Sequence, residues 1–228
     1  MRFRWANAIL LILLLAEMVS GLLGLVTGSD ELAVFIQAHR VGGYGILLIL
    51  IWKAGNIAFS LRRKRGGRTR AASLFLLAML GTSLALGFTW SLFGPFSFWL
   101  FSGVSWHIYV GAALAPVLAW HATYLIRGFP VSYWADRRSF LRLAGIGVAA
   151  FATWQVAEGA ARAVGLSGAS RRFTGSYEAD SFSGNRFPRV SWLNDNPRPI
   201  DSTGWSLTVR GAVDRPLAIG LDDLSPTT

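Results

Sequence analysis

Five long apolar runs leave this chain little choice of fold. They lie near Trp5–Val26, Val41–Leu61, Ala71–Phe93, Val104–Ile126 and Leu141–Val164. A hydrocarbon core of about 30 Å takes roughly 20 helical residues to cross, and each run is about that long. Lipid offers a backbone no hydrogen-bond partners, so such spans must be helices. The fifth is the mildest, built from Ala and Gly more than Leu. Composition agrees: 53% of the 228 residues are hydrophobic and 15% are charged, against about 25% charged in soluble domains.

The net charge of +10 is read by position before it is read as a nucleic-acid footprint. Arg2 and Arg4 precede the first run, six basic residues fill "RRKRGGRTR" between the second and third, and Arg127, Arg137, Arg138 and Arg142 lie between the fourth and fifth. These segments alternate onto one face, while the opposite short loops carry only Arg40. The asymmetry predicts a cytoplasmic N-terminus and an extracytoplasmic tail, in a multi-pass protein of the inner (cytoplasmic) membrane. Membrane lipid is the expected partner and nucleic acid is not.

From about Ser167 the chain turns polar and rich in Gly, Pro and Asn, with strand-like pieces such as "WSLTVRGAV" (Trp205–Val213). Some 60 residues make a thin independent core, so this tail is expected to be the start of a domain. The fold class predicted is an all-α membrane bundle of about five helices followed by a short, partly β extracytoplasmic tail. Its divisions fall at 1–130, a four-helix membrane domain; 131–166, a signal-like stretch with the fifth helix; and 167–228, the tail.

The stretch "DRRSFLR" places Arg137 and Arg138 ahead of Phe140 and Leu141, then a mild Ala/Gly run. It resembles a twin-arginine export signal, which implies that the segment C-terminal to it crosses the membrane folded around a cofactor. The same arginines also suit a simple anchor for a helix end. In the tail, "FP", "PID", "WSLTVRGAV", "PL" and "LDDL" fall at Phe187, Pro188, Pro199, Ile200, Asp201, Trp205, Leu207, Val209, Gly211, Val213, Pro216, Leu217, Leu221 and Leu224. This pattern resembles the N-terminal edge of the sulfite-oxidase-like molybdopterin oxidoreductases, although W-x-L-x-V-x-G-x-V is also a generic strand and turn. That resemblance implies a molybdenum centre held by a cysteine. The chain has no cysteine, so no catalytic residue is carried over, and molybdopterin is expected only with a further domain or subunit.

Polar groups within apolar spans are costly and so informative. The sequence holds three histidines. His39 and His107 fall at the same-side starts of spans two and four, and should lie at similar depth. His121 follows His107 by 14 residues, about 21 Å along a helix and nearly on the same face. That placement resembles the haem-bearing four-helix membrane cytochromes b, and implies His39, His107 and His121 as axial ligands of b-type haem, with iron as the metal. The position matching His121 in span two is Lys53, which departs from the pattern. Gly42, Gly43, Gly45, Gly111, Ala112 and Ala113 would leave room for a flat macrocycle, or serve close helix packing. His39 and His107 equally suit interfacial positions, and His121 a hydrogen bond to a neighbouring helix. Glu17 and Lys53 are expected to form an intramembrane pair, with Asn56 beside it. The aromatic run "FTWSLFGPFSFWLFSG" is expected at the membrane interface.

Together these features predict an electron-transfer module between membrane quinone and an extracytoplasmic molybdopterin oxidoreductase domain, not itself catalytic. The alternative is a non-redox membrane anchor or docking protein for such a domain. A small transporter working through Glu17 and Lys53 fits less well, because no internal repeat is visible among the spans.

Overall fold

A computed structural model of the chain describes residues 4–26, 32–61, 67–126, 137–171, 177–180, 186–189 and 203–224. Arg2, Arg127, the 62–66 part of the basic loop, and Pro199, Ile200 and Asp201 of the tail pattern lie outside the described residues. Five helices carry the fold: α1 (Arg4–Val26), α2 (Ala33–Leu61), α3 (Gly67–Phe93), α4 (Gly103–Ile126) and α5 (Arg137–Ala163). All five are long and apolar enough to cross a membrane, which makes the chain a multi-pass membrane protein.

The helices pair into two antiparallel hairpins, α1 with α2 and α3 with α4, and α5 lies against α2. Backbone approach between the hairpins is sparse and involves α1 with α4. Side chains fill that gap in the half of the bundle nearer the start of α1. There Ile9, Leu10 and Leu14 meet Ile46 and Ile49 of α2, and Leu114 and Leu118 of α4. Since lipid tails are as apolar as these side chains, close van der Waals packing holds this half together rather than exclusion from water. Pro116 sits inside α4 and leaves one carbonyl without its helical partner, which a buried bundle tolerates better than open lipid.

Three helices start at least a turn before the apolar runs do, α3 among them at Gly67. α2 begins at Ala33, so His39 is a full turn and more inside it rather than at its edge. The segment "AVFIQAHR" has no Gly or Pro to stop a helix, and the polar residues near its end do not interrupt backbone pairing. α5 begins at Arg137, which places Arg137 and Arg138 in its first turn. Phe140 and Leu141 point outward, and the Arg142 guanidinium lies 4.8 Å from the Trp5 ring centroid, joining the starts of α5 and α1.

A tight hairpin, β1 (Ser97–Phe98) with β2 (Phe101–Ser102), joins α3 to α4. Its tip forces Trp99 to φ 56°, and the Trp106 indole donates to the Phe98 carbonyl at 3.0 Å. After α5 a short 3-10 turn, Ser167–Ser170, docks on the end of α3. The Arg171 guanidinium donates to the Ser91 carbonyl and to Glu158 of α5, and the two charged side chains are only 4% and 12% exposed. A Cβ on Gly168 would collide with the Ser91 and Leu92 backbone. The tail carries two further antiparallel hairpins, β3 (Tyr177–Asp180) with β4 (Arg186–Arg189) and β5 (Ser206–Val209) with β6 (Leu217–Gly220). Leu207 and Leu217 of the second remain exposed.

Candidate functional site: a matched pair of histidines

His39 on α2 and His107 on α4 meet between the hairpins. Their ring centroids are 5.8 Å apart and their planes cross at 84°. They lie in the half of the bundle where α1, α3 and α5 end, the half from which the tail departs.

Each imidazole is tied to the other helix of its own hairpin. His39 Nδ1 donates to the Glu17 carbonyl on α1 at 3.0 Å. His107 Nδ1 donates to the Ser83 carbonyl on α3 at 2.8 Å. A carbonyl oxygen can only accept, so Nδ1 carries the proton in both rings and Nε2 keeps its lone pair. Both carbonyls belong to helix interiors and already serve a helical N–H; their second lone pair takes the imidazole. The surroundings repeat as well. Ser20 Oγ lies 3.4 Å from His39 Nδ1, and Ser83 Oγ 3.4 Å from His107 Nδ1. Gly21 and Gly87 each sit four residues beyond the accepting carbonyl. One acid breaks the match: a Glu17 carboxyl oxygen is 3.2 Å from His39 Nδ1.

This layout corrects the expected Glu17–Lys53 pair. Lys53 Nζ donates instead to Asn7 Oδ1 at 2.9 Å, while Glu17 faces His39. Asn7 and Glu17 are ten residues apart on α1, about 15 Å, so the two polar sites occupy different depths. Lys53 sits deeper along α2 than the apolar run alone indicates, because the helix begins earlier. Gly42 also changes meaning. A Cβ there would strike the Glu17 carboxyl, so this glycine makes room for an acid. Gly45 meets Leu13 and Ala150 in ordinary helix packing.

His121 does not join the pair. The packed Leu10, Leu14, Ile46, Ile49, Leu114 and Leu118 lie between its level and that of His107, and its charged neighbour is Lys53. With only three histidines in the sequence, no second imidazole is left to face it.

Chemically, the pair offers two neutral nitrogen donors and little else. Among the described residues no group of three or more His, Cys, Asp or Glu side chains gathers to hold a metal. Structural zinc takes four protein ligands and catalytic zinc three, so a bare ion is poorly served here. A metal whose equatorial ligands come from its own macrocycle needs only two axial nitrogens, as b-type haem does. Metal-binding histidines typically give their other ring N–H to a carbonyl or carboxylate, which fixes the tautomer and raises donor strength. Both rings meet that condition, so the residues fit haem.

The repeated anchors escape sequence inspection because a backbone carbonyl leaves no mark in the residue string. The visible trace is a glycine 18 residues before His39 and another 20 before His107, inside helices where glycine is otherwise unfavourable. Comparison of the chain with family models, curated proteins and solved structures finds no match.

Proposed function

We propose that this chain is a membrane electron-transfer module in which His39 and His107 hold one b-type haem between the two helix hairpins. The observation that supports this best is the pair of facing imidazoles, each held by Nδ1 on a backbone carbonyl with Nε2 left to donate. His39 and His107 would hold such a haem through their Nε2 atoms, and the group would supply one-electron transfer. The protein's part is to hold the two rings, exclude water with the aliphatic half of the bundle, and bring the tail out at the end where the rings lie.

The partners proposed are quinone in the membrane and a sulfite-oxidase-like molybdopterin domain or subunit on the extracytoplasmic face. The tail pattern from Phe187 to Leu224 and the twin-arginine-like Arg137–Leu141 support that assignment. The sequence has no cysteine, so the oxo-transfer chemistry belongs to the partner. Orientation in the inner membrane, N-terminus cytoplasmic, is inferred from the basic loops. Haem quantified by pyridine haemochrome on the detergent-purified chain tests the reading. One haem per chain is expected, and none, from haem-replete cells, would reject it.

A further inference from the structure

We infer that Gly21 and Gly87 are positioning residues, the matched halves of a clamp that sets the plane of each imidazole. As it concerns haem the inference rests on the electron-transfer function proposed for the chain; as it concerns the rings alone it does not.

Helical side chains lean toward the N-terminus, so the residue at i+4 shades the carbonyl of residue i. A side chain at 21 would cover the Glu17 carbonyl, and one at 87 the Ser83 carbonyl. Those are the two acceptors the histidines use. A Cβ at Gly21 would stand 2.9 Å from His39 Cε1 and 3.1 Å from Nδ1; at Gly87 it would stand 3.1 Å from His107 Cε1 and 3.2 Å from Nδ1. Carbon atoms at rest keep about 3.5–4.0 Å, so an added Cβ would press each ring to shift against its carbonyl, more at Gly21 than at Gly87.

Glycines in membrane helices commonly allow two backbones to approach, and then an added Cβ meets the neighbouring helix. Here the three nearest atoms at both positions all belong to the imidazole. Gly81 on α3 and Gly111 on α4, within the hairpin that carries Gly87 and His107, have nothing within 4 Å of an added Cβ. The spacing repeats too: carbonyl and glycine four apart, then histidine 22 residues after Glu17 and 24 after Ser83. Each hairpin therefore carries one copy of the same device, and together the copies cross the rings at 84°.

The first test needs no haem. Nitrogen NMR of the 15N-histidine chain in micelles, with signals assigned by His39→Gln, His107→Gln and His121→Gln, reports the tautomer of each ring. Nδ1–H is expected for both His39 and His107. Gly21→Ala should shift only the His39 signals and Gly87→Ala only those of His107. Ser83→Ala, which keeps the carbonyl but removes an Oγ 3.4 Å from Nδ1, should leave His107 as the Nδ1–H tautomer, and the controls Gly81→Ala and Gly111→Ala should shift neither ring. In the haem-loaded chain, electron paramagnetic resonance should show the strongly anisotropic low-spin signal of crossed imidazole planes, and each clamp variant should move it while haem stays bound. An Nε2–H tautomer for either ring in the wild type overturns the clamp even if the variants fail to fold. Equal shifts from Gly111→Ala, or none from Gly21→Ala and Gly87→Ala, overturn it as well. A colourless wild type rejects the haem reading and leaves the NMR result to decide the clamp.

Discussion

Lys53 and Asn7 meet through one hydrogen bond across facing helices, while Glu17 lies about three turns away from Asn7 along α1. Residues in contact couple by roughly 0.5–3 kcal/mol, and separated ones add within about 0.5 kcal/mol. A double-mutant cycle of Asn7→Ala with Lys53→Met, monitored by unfolding in mixed micelles, is therefore expected to show coupling of that size. The cycle of Glu17→Gln with Lys53→Met is expected to be additive. Coupling in the second cycle and none in the first would restore the pairing that depth along the sequence indicates. The two histidines were legible from sequence because an imidazole inside an apolar span stands out by its cost. Their anchors were not, because Glu17 and Ser83 contribute backbone carbonyls. Gly21 was hidden among the many glycines of the spans, and only the ring beside it separates it from Gly45, which packs against Leu13 and Ala150.

The five helices were legible in number and type, and less so in their ends, while the β1–β2 hairpin within the aromatic run was not legible. Hydropathy marks where a helix is apolar, but α2 and α5 continue into polar residues because nothing in "AVFIQAHR" or "RRSFLR" breaks backbone pairing. The docking of the turn after α5 was invisible, since it depends on Arg171 reaching 80 residues back to Ser91. Removing one partner of a buried ion pair costs about 3–5 kcal/mol. Arg171→Ala is accordingly expected to speed amide exchange across residues 167–171 by about a hundredfold or more. Gly168→Ala should act in the same direction without touching any charge, because its Cβ meets backbone atoms. Protection unchanged in both variants would show that the turn is held by something other than this contact.

On the scale of the whole molecule, five helices long and apolar enough to span a membrane would, by alternation, put the basic loops on one side and the tail on the other. A fluorescent protein that matures only in the cytoplasm is expected to light up when fused after Leu61 or Ile126. It should stay dark when fused after Val26 or Ala163, with a periplasm-active phosphatase giving the reverse pattern. The opposite assignment would undo the orientation and the extracytoplasmic placement of the tail. The bundle divides lengthwise into a half sealed by aliphatic packing and a half that holds the two imidazoles, and the chain leaves from the second. On that division rests the proposal of one haem, held by His39 and His107 and not by His121. The most direct test is the absorption spectrum of the purified chain, oxidised and then dithionite-reduced, for the wild type, His39→Ala, His107→Ala and His121→Ala. A sharp reduced α-band is expected in the wild type, with its loss in His39→Ala and His107→Ala and its retention in His121→Ala. A colourless wild type, or a band that survives without His39 or His107, would contradict the proposal.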